Sequence, residues 1–209
     1  MENTIEQNSK MTAEESLSLI TETLNNSRKE ITRKSGRFFI FWGVLLTFFS
    51  LLIYALCKFT DNEAWNWLWF ALPAIGIPSE RFLRDKNASE NVRNDVSRFV
   101  SGIWSTFGFF ACAIGAFTLI YSMLSSSAIR LLAAVYGLIA ELVLLFGLAE
   151  CITGVALKNW AIKIAGFVTG VGGLAIYYIA GSGWEPMLIF TFAGLVLIAT
   201  GLIVRIQYK

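Results

Sequence analysis

The sequence predicts an all-α polytopic membrane protein of about six transmembrane helices arranged as three hairpins, with an amphipathic N-terminal helix. Three observations carry that expectation. Of its 209 residues, 56% are hydrophobic and only 15% charged, against about a quarter charged in an ordinary soluble domain. The apolar residues come in blocks of about twenty, enough helix to cross a hydrocarbon core of roughly 30 Å. Lys and Arg, finally, concentrate in alternate loops.

The first 36 residues are polar, with no apolar run and no small-residue cleavage pattern of a signal peptide, so the first span is expected to act as the membrane signal. Thr12-Ala13-Glu14-Glu15 reads as a capping box opening a helix. Leu17, Ile20, Leu24 and Ile31 then share one stripe. Acidic Glu14, Glu15 and Glu22 lead, and basic Arg28, Lys29, Arg33 and Lys34 trail, which complements the helix dipole. Two roles suit this head: lying on the membrane or its own loops, with the basic end on anionic headgroups, or docking another protein.

Six apolar blocks follow, at about 38–57, 64–78, 103–124, 128–149, 160–180 and 184–204. The second is short and carries Pro73, Gly76 and Pro78; it reads as a kinked helix rather than the broken helix of a transporter site. Links of three residues, Ser125 to Ser127 and Gly181 to Gly183, require antiparallel hairpins. Spans one, three and five end alike, in Leu52-Ile53-Tyr54, Leu119-Ile120-Tyr121 and Ala175-Ile176-Tyr177. This would suit a hairpin unit used three times, but the period is irregular and tyrosine is common near an outer membrane interface in any case. A cytoplasmic loop of about 79–102 carries Val92, Val96 and Phe99 as a short stripe, and 205–209 forms a cytoplasmic tail.

Orientation follows from positive charge, which cytoplasmic loops retain. Fifteen Lys and Arg fall on the side that holds both termini, and only Lys58 and Arg130 on the other. Both termini are therefore expected in the cytoplasm. The seven tryptophans cluster near span ends, as interfacial anchors do.

The chemistry available is narrow. There is no histidine, which removes the commonest metal ligand and general base, and Asp61, Asp85 and Asp95 all lie in loops. Cys57, Cys112 and Cys151 have neither metal-ligand nor disulfide spacing and read as apolar packing residues. No enzyme, cofactor, metal or nucleic-acid partner is expected. Two carboxylates in span four are the candidate functional residues. Glu141 lies near mid-membrane, where an ionisable group is usually buried, protonated or functional; it is expected to hold a proton or bond a hydroxyl. Glu150, nine residues on, points to the opposite face and is expected to reach the interface beside Lys158 or Lys163. Gly166, Gly170 and Gly173 mark a packing face, Gly166 to Gly170 having small-xxx-small spacing. That face suits packing within the bundle or a homodimer.

Met11-Thr12-Ala13-Glu14-Glu15-Ser16-Leu17, Phe38-Phe39-Ile40-Phe41-Trp42-Gly43 and Thr153-Gly154-Val155-Ala156-Leu157-Lys158 with the later Gly166 carry a resemblance. Together they resemble a family of small uncharacterised bacterial polytopic membrane proteins with an amphipathic head. The resemblance covers most of the chain and implies a bacterial inner-membrane setting, but no activity and no functional residues. The function expected is association with a protein partner through the head, in the lipid bilayer, alone or as a homo-oligomer. The alternative is a small transporter or channel with Glu141 as its protonatable group.

Overall fold

The computed structural model describes residues 13–83, 95–124, 128–175 and 185–208. Thr12, Val92, the Ser125 to Ser127 and Gly181 to Gly183 links, Tyr177 and Trp184 lie outside them. The described residues are 96% helical, without strands. Helix α1 runs over Ala13–Thr60, α2 over Ala71–Leu83, α3 over Asp95–Leu124 and α4 over Ala128–Ala156. Helix α5 covers Trp160–Phe167 and continues as a π-helix over Val168–Gly172, and α6 covers Leu188–Gln207. Short 3-10 helices at Glu63–Phe70 and Glu185–Met187 precede α2 and α6. Four helices are long and apolar enough to cross a membrane, and they include α1, α3, α4 and α6; the apolar helix Trp160–Ala175 is shorter.

The polar head and the first apolar block form one helix. Its 48 residues reach about 72 Å at 1.5 Å per residue, more than twice a hydrocarbon core. Nothing in the sequence between Lys34 and Phe38 stops it, since the boundary is a change of polarity and not of backbone. Gly36, the one weak helix former there, is needed for packing.

That packing is the largest interface in the fold. Helices α1 and α6 lie antiparallel, and small residues on α1 recur every seven positions at Gly36, Gly43 and Ser50. A Cβ on Gly43 would stand 2.7 Å from the Gly194 carbonyl oxygen, and one on Gly201 would stand 2.6 Å from the Gly36 carbonyl oxygen. The Ser50 hydroxyl donates to the Met187 carbonyl (2.8 Å) and accepts from Thr191 (2.9 Å). The seam therefore runs through Gly36–Gly201, Gly43–Gly194 and Ser50–Met187. A repeat of seven keeps one face in register along two helices, and the missing side chains let the backbones touch. Within lipid, where hydrophobic burial gives little drive, such contact is the main source of cohesion.

Helices α4 and α5 use the same device. Cβ atoms on Gly147, Gly154 and Gly166 would strike the backbone of the facing helix. The turn between them is short because it is fully capped. Lys158 takes a left-handed φ of 53°, and the amides of Lys158 and Asn159 bond back to Val155 and Gly154 in a Schellman pattern. Asn159 then caps α5, its Oδ1 accepting from the Ile162 amide at 3.1 Å.

Phe39, Leu157, Ile162, Leu197 and Val204 form one buried cluster, against which Ile31, Val100, Trp104 and Tyr208 pack. The head-proximal part of α1, the start of α3, the α4–α5 turn and the end of α6 thus share one end of the bundle. Trp42, Trp69 and Trp104 also pack against neighbouring helices. Trp42 covers Gly76 of α2, Trp69 meets Phe190 at 5.0 Å, and Trp104 bridges Phe38 and Phe146 at 5.6 Å each. Trp65, Trp67 and Trp160 remain exposed.

Candidate functional site

Helix α4 turns a heptad stripe inward, with Val143, Glu150 and Leu157 all fully or almost fully buried. Val143 contacts Gly173 and belongs to a cluster with Ile139 and Ile189, while Leu157 belongs to the Phe39 cluster. Glu150 therefore sits between two apolar clusters, with none of its surface reaching solvent. Thr169, in the π-helical segment, donates its hydroxyl to Glu150 Oε2 at 3.2 Å. Glu150 Oε1 is buried with no partner among the described residues. An ion pair joins Lys34 and Glu30 on the exposed face of α1.

This corrects the expected place of Glu150. The apolar block was read as ending at Ala149, whereas α4 continues to Ala156, so Glu150 lies nearly two turns inside the helix end. Neither lysine reaches it. Lys163 lies over the Trp160 ring at 4.6 Å, and Lys158 occupies the exposed turn.

The π-helix beside Glu150 has a local cause. Val168–Gly172 and its following Gly173 hold three glycines within four residues, which weakens the preference for α geometry. π-turns are uncommon and recur at functional sites. Here the segment places the buried Thr169 hydroxyl on the only bonded oxygen of a dry carboxyl. Such a group can exchange a proton, but no polar chain leads from it through the described residues.

Glu141 is exposed, and no hydrogen bond or ion pair reaches it among the described residues. The described residues offer it no hydroxyl partner. The reason is angular: two residues before Val143 is about 200° around the helix, so Glu141 points away from the core. The two glutamates do face opposite ways. Gly166 and Gly170 meet Gly147 of α4, and Gly173 meets Val143, so all three face the bundle interior and no surface is left there for a second copy.

Sequence reasoning missed the Ser50–Thr191–Met187 link, the α1–α6 seam and the Asn159–Gln207 bond of 3.1 Å that ties the α4–α5 turn to α6. The signal for the seam was present as the spacing of seven at 36, 43 and 50, and at 194 and 201.

The second candidate site is the start of α1. From Glu14 to Asn26 nearly every residue is exposed. Leu17, Ile20 and Leu24 are 66%, 56% and 38% exposed. The same stripe continues into Ile31, which packs on the Phe39 cluster. Thr21 and Thr23 beside it direct their hydroxyls to their own helix, donating to the carbonyls of Leu17 (2.8 Å) and Leu19 (2.7 Å). Compared with family models, curated proteins and solved structures, the chain matches none of them.

Proposed function

We propose that this chain is a non-enzymatic, multi-pass protein of the bacterial inner membrane that acts by associating with another protein through the cytoplasmic start of α1. The carrying observation is that the uncovered Leu17–Ile20–Leu24 stripe and the first span are one unbroken helix. A rod continuous with a membrane-crossing segment projects its far end away from the bilayer. Lipid then cannot cover the stripe, and an amphipathic helix held in water is suited to an apolar groove on a partner.

The six-span topology, with both termini cytoplasmic, is part of this reading. The end of α1 near residue 31, the start of α3, the α4–α5 turn and the end of α6 share one end of the bundle. With only the four long helices crossing, α4 would end on the side opposite the head. A return of the chain through the segment from Glu63 to Leu83 and a crossing by α5 would account for this arrangement, which supports the six-span reading. The six-span path also keeps fifteen of the seventeen Lys and Arg on one side.

The test is purification from native membranes in mild detergent, with wild type beside a Leu17→Asp, Ile20→Asp, Leu24→Asp variant. The expected result is one stoichiometric partner, absent from the variant, with the bundle's melting unchanged. Recovery of the protein alone in both cases would refute the reading. The alternative, a proton-coupled transporter, moves from Glu141 to Glu150, because Glu150 is the carboxyl inside the bundle. Proton flux in liposomes with Glu150→Gln as control tests it.

A further inference from the structure

The outward face of α4 presents Gly137, Glu141, Leu144 and Leu148 at spacings of four, three and four, and continues to Val155. Leu144, Leu148 and Val155 are exposed, as lipid-facing residues should be. Glu141 is exposed among them, close to the middle of a helix of 29 residues. A carboxyl turned toward acyl chains is disfavoured even on insertion scales, and hydrocarbon offers it nothing to bond. One turn before it, a Cβ on Gly137 would meet nothing within 4 Å among the described residues. Another helix can therefore come close to the backbone beside the carboxyl.

From this geometry we infer that the Gly137–Glu141–Leu144–Leu148 face is the contact for a second copy of the chain. The choice of occupant follows from chemistry and symmetry. A protonated carboxyl has one donor and one acceptor, so two of them facing each other satisfy both. Copies inserted by the same rule share orientation and depth, and a two-fold axis along the membrane normal brings each residue near it to its own counterpart. Glu141 then meets Glu141 of the second copy, with Gly137 allowing the approach and Leu144 and Leu148 packing below. The glycine-rich face of α5 cannot serve, because Gly147 and Val143 already fill it. This inference is independent of the partner assigned to α1.

The test uses the full chain, labelled separately with donor and acceptor fluorophores and reconstituted in phosphatidylethanolamine–phosphatidylglycerol vesicles. Energy transfer is followed as the protein-to-lipid ratio is lowered. Wild type should associate, and Glu141→Gln, which keeps a donor and an acceptor, should stay within about twofold of it. Glu141→Leu should weaken association about tenfold or more, and Gly137→Leu should do likewise. Phe117→Ala, on the exposed side of α3, should change nothing. Leucine suits lipid better than a carboxyl, so Glu141→Leu should melt at or above wild type when both are compared as monomers at high dilution in detergent. Undiminished transfer in Glu141→Leu, no transfer in wild type, or a lowered melting point for the Glu141→Leu monomer would each overturn the proposal.

Discussion

The two halves of α1 share a backbone and a seven-residue logic, but only one of them has a partner among the described residues. From Gly36 to Ser50 the helix is held against α6 by backbone contact and by the Ser50 and Thr191 hydroxyls. From Glu14 to Asn26 it carries Leu17, Ile20 and Leu24 exposed, with no described residue covering them. The first half is small-residued and closed; the second is large-residued and open. Glycine removes the steric barrier between two helices of one chain, whereas leucine at the same kind of spacing supplies area for a surface brought from outside.

The largest effect should come from filling the closed half. Gly43→Leu or Gly194→Leu would place a branched side chain where even a Cβ falls within 3 Å of backbone. Overpacking of that kind costs about 1–3 kcal/mol and at times more, so the expected result is loss of about 3 kcal/mol or failure to assemble. Thermal melting in detergent would read it, and a neutral outcome would remove the seam from the account. A glycine without a neighbour sets the contrast. Gly108 on α3 has nothing within 4 Å of a Cβ among the described residues, and Gly108→Ala should gain up to about 1 kcal/mol from helix propensity.

Smaller effects sharpen the polar half of the comparison. Ser50→Ala removes the donor to Met187 and the acceptor for Thr191, and should cost about 1–2 kcal/mol. Glu150→Gln keeps an oxygen for the Thr169 hydroxyl and removes an ionisable group from a dry site. Its melting should match wild type within about 0.5 kcal/mol or rise, in line with the poor return on buried charge. A clear fall would mean that the ionised carboxylate itself is stabilising.

Much of the architecture was legible because composition and blocks of twenty apolar residues require membrane helices, whatever their arrangement. The arrangement was less so, for particular reasons. Hairpin reasoning pairs neighbours in sequence, yet α1 packs most extensively on α6, at the other end of the chain. Gly36, Gly43 and Ser50 become a seam only when set against Gly201, Gly194 and Met187. Arg37 read as a boundary because charge changes there, but a helix needs a broken hydrogen-bond ladder to end, and none is present. Glu150 was misplaced by equating the end of an apolar run with the end of a helix. The opposed directions of Glu141 and Glu150 were legible, since nine residues at about 100° each settle that without any tertiary knowledge.

The central claim is that the open half of α1 is a protein-docking rod and not a membrane-surface helix. A photo-crosslinking side chain at position 20, activated in intact cells, tests it most directly. The account predicts a covalent adduct with one protein, abolished by Leu17→Asp with Leu24→Asp and unaffected by Glu141→Leu. Adducts to lipid alone, or to no protein that the Asp substitutions release, would contradict it and lay the head on the bilayer.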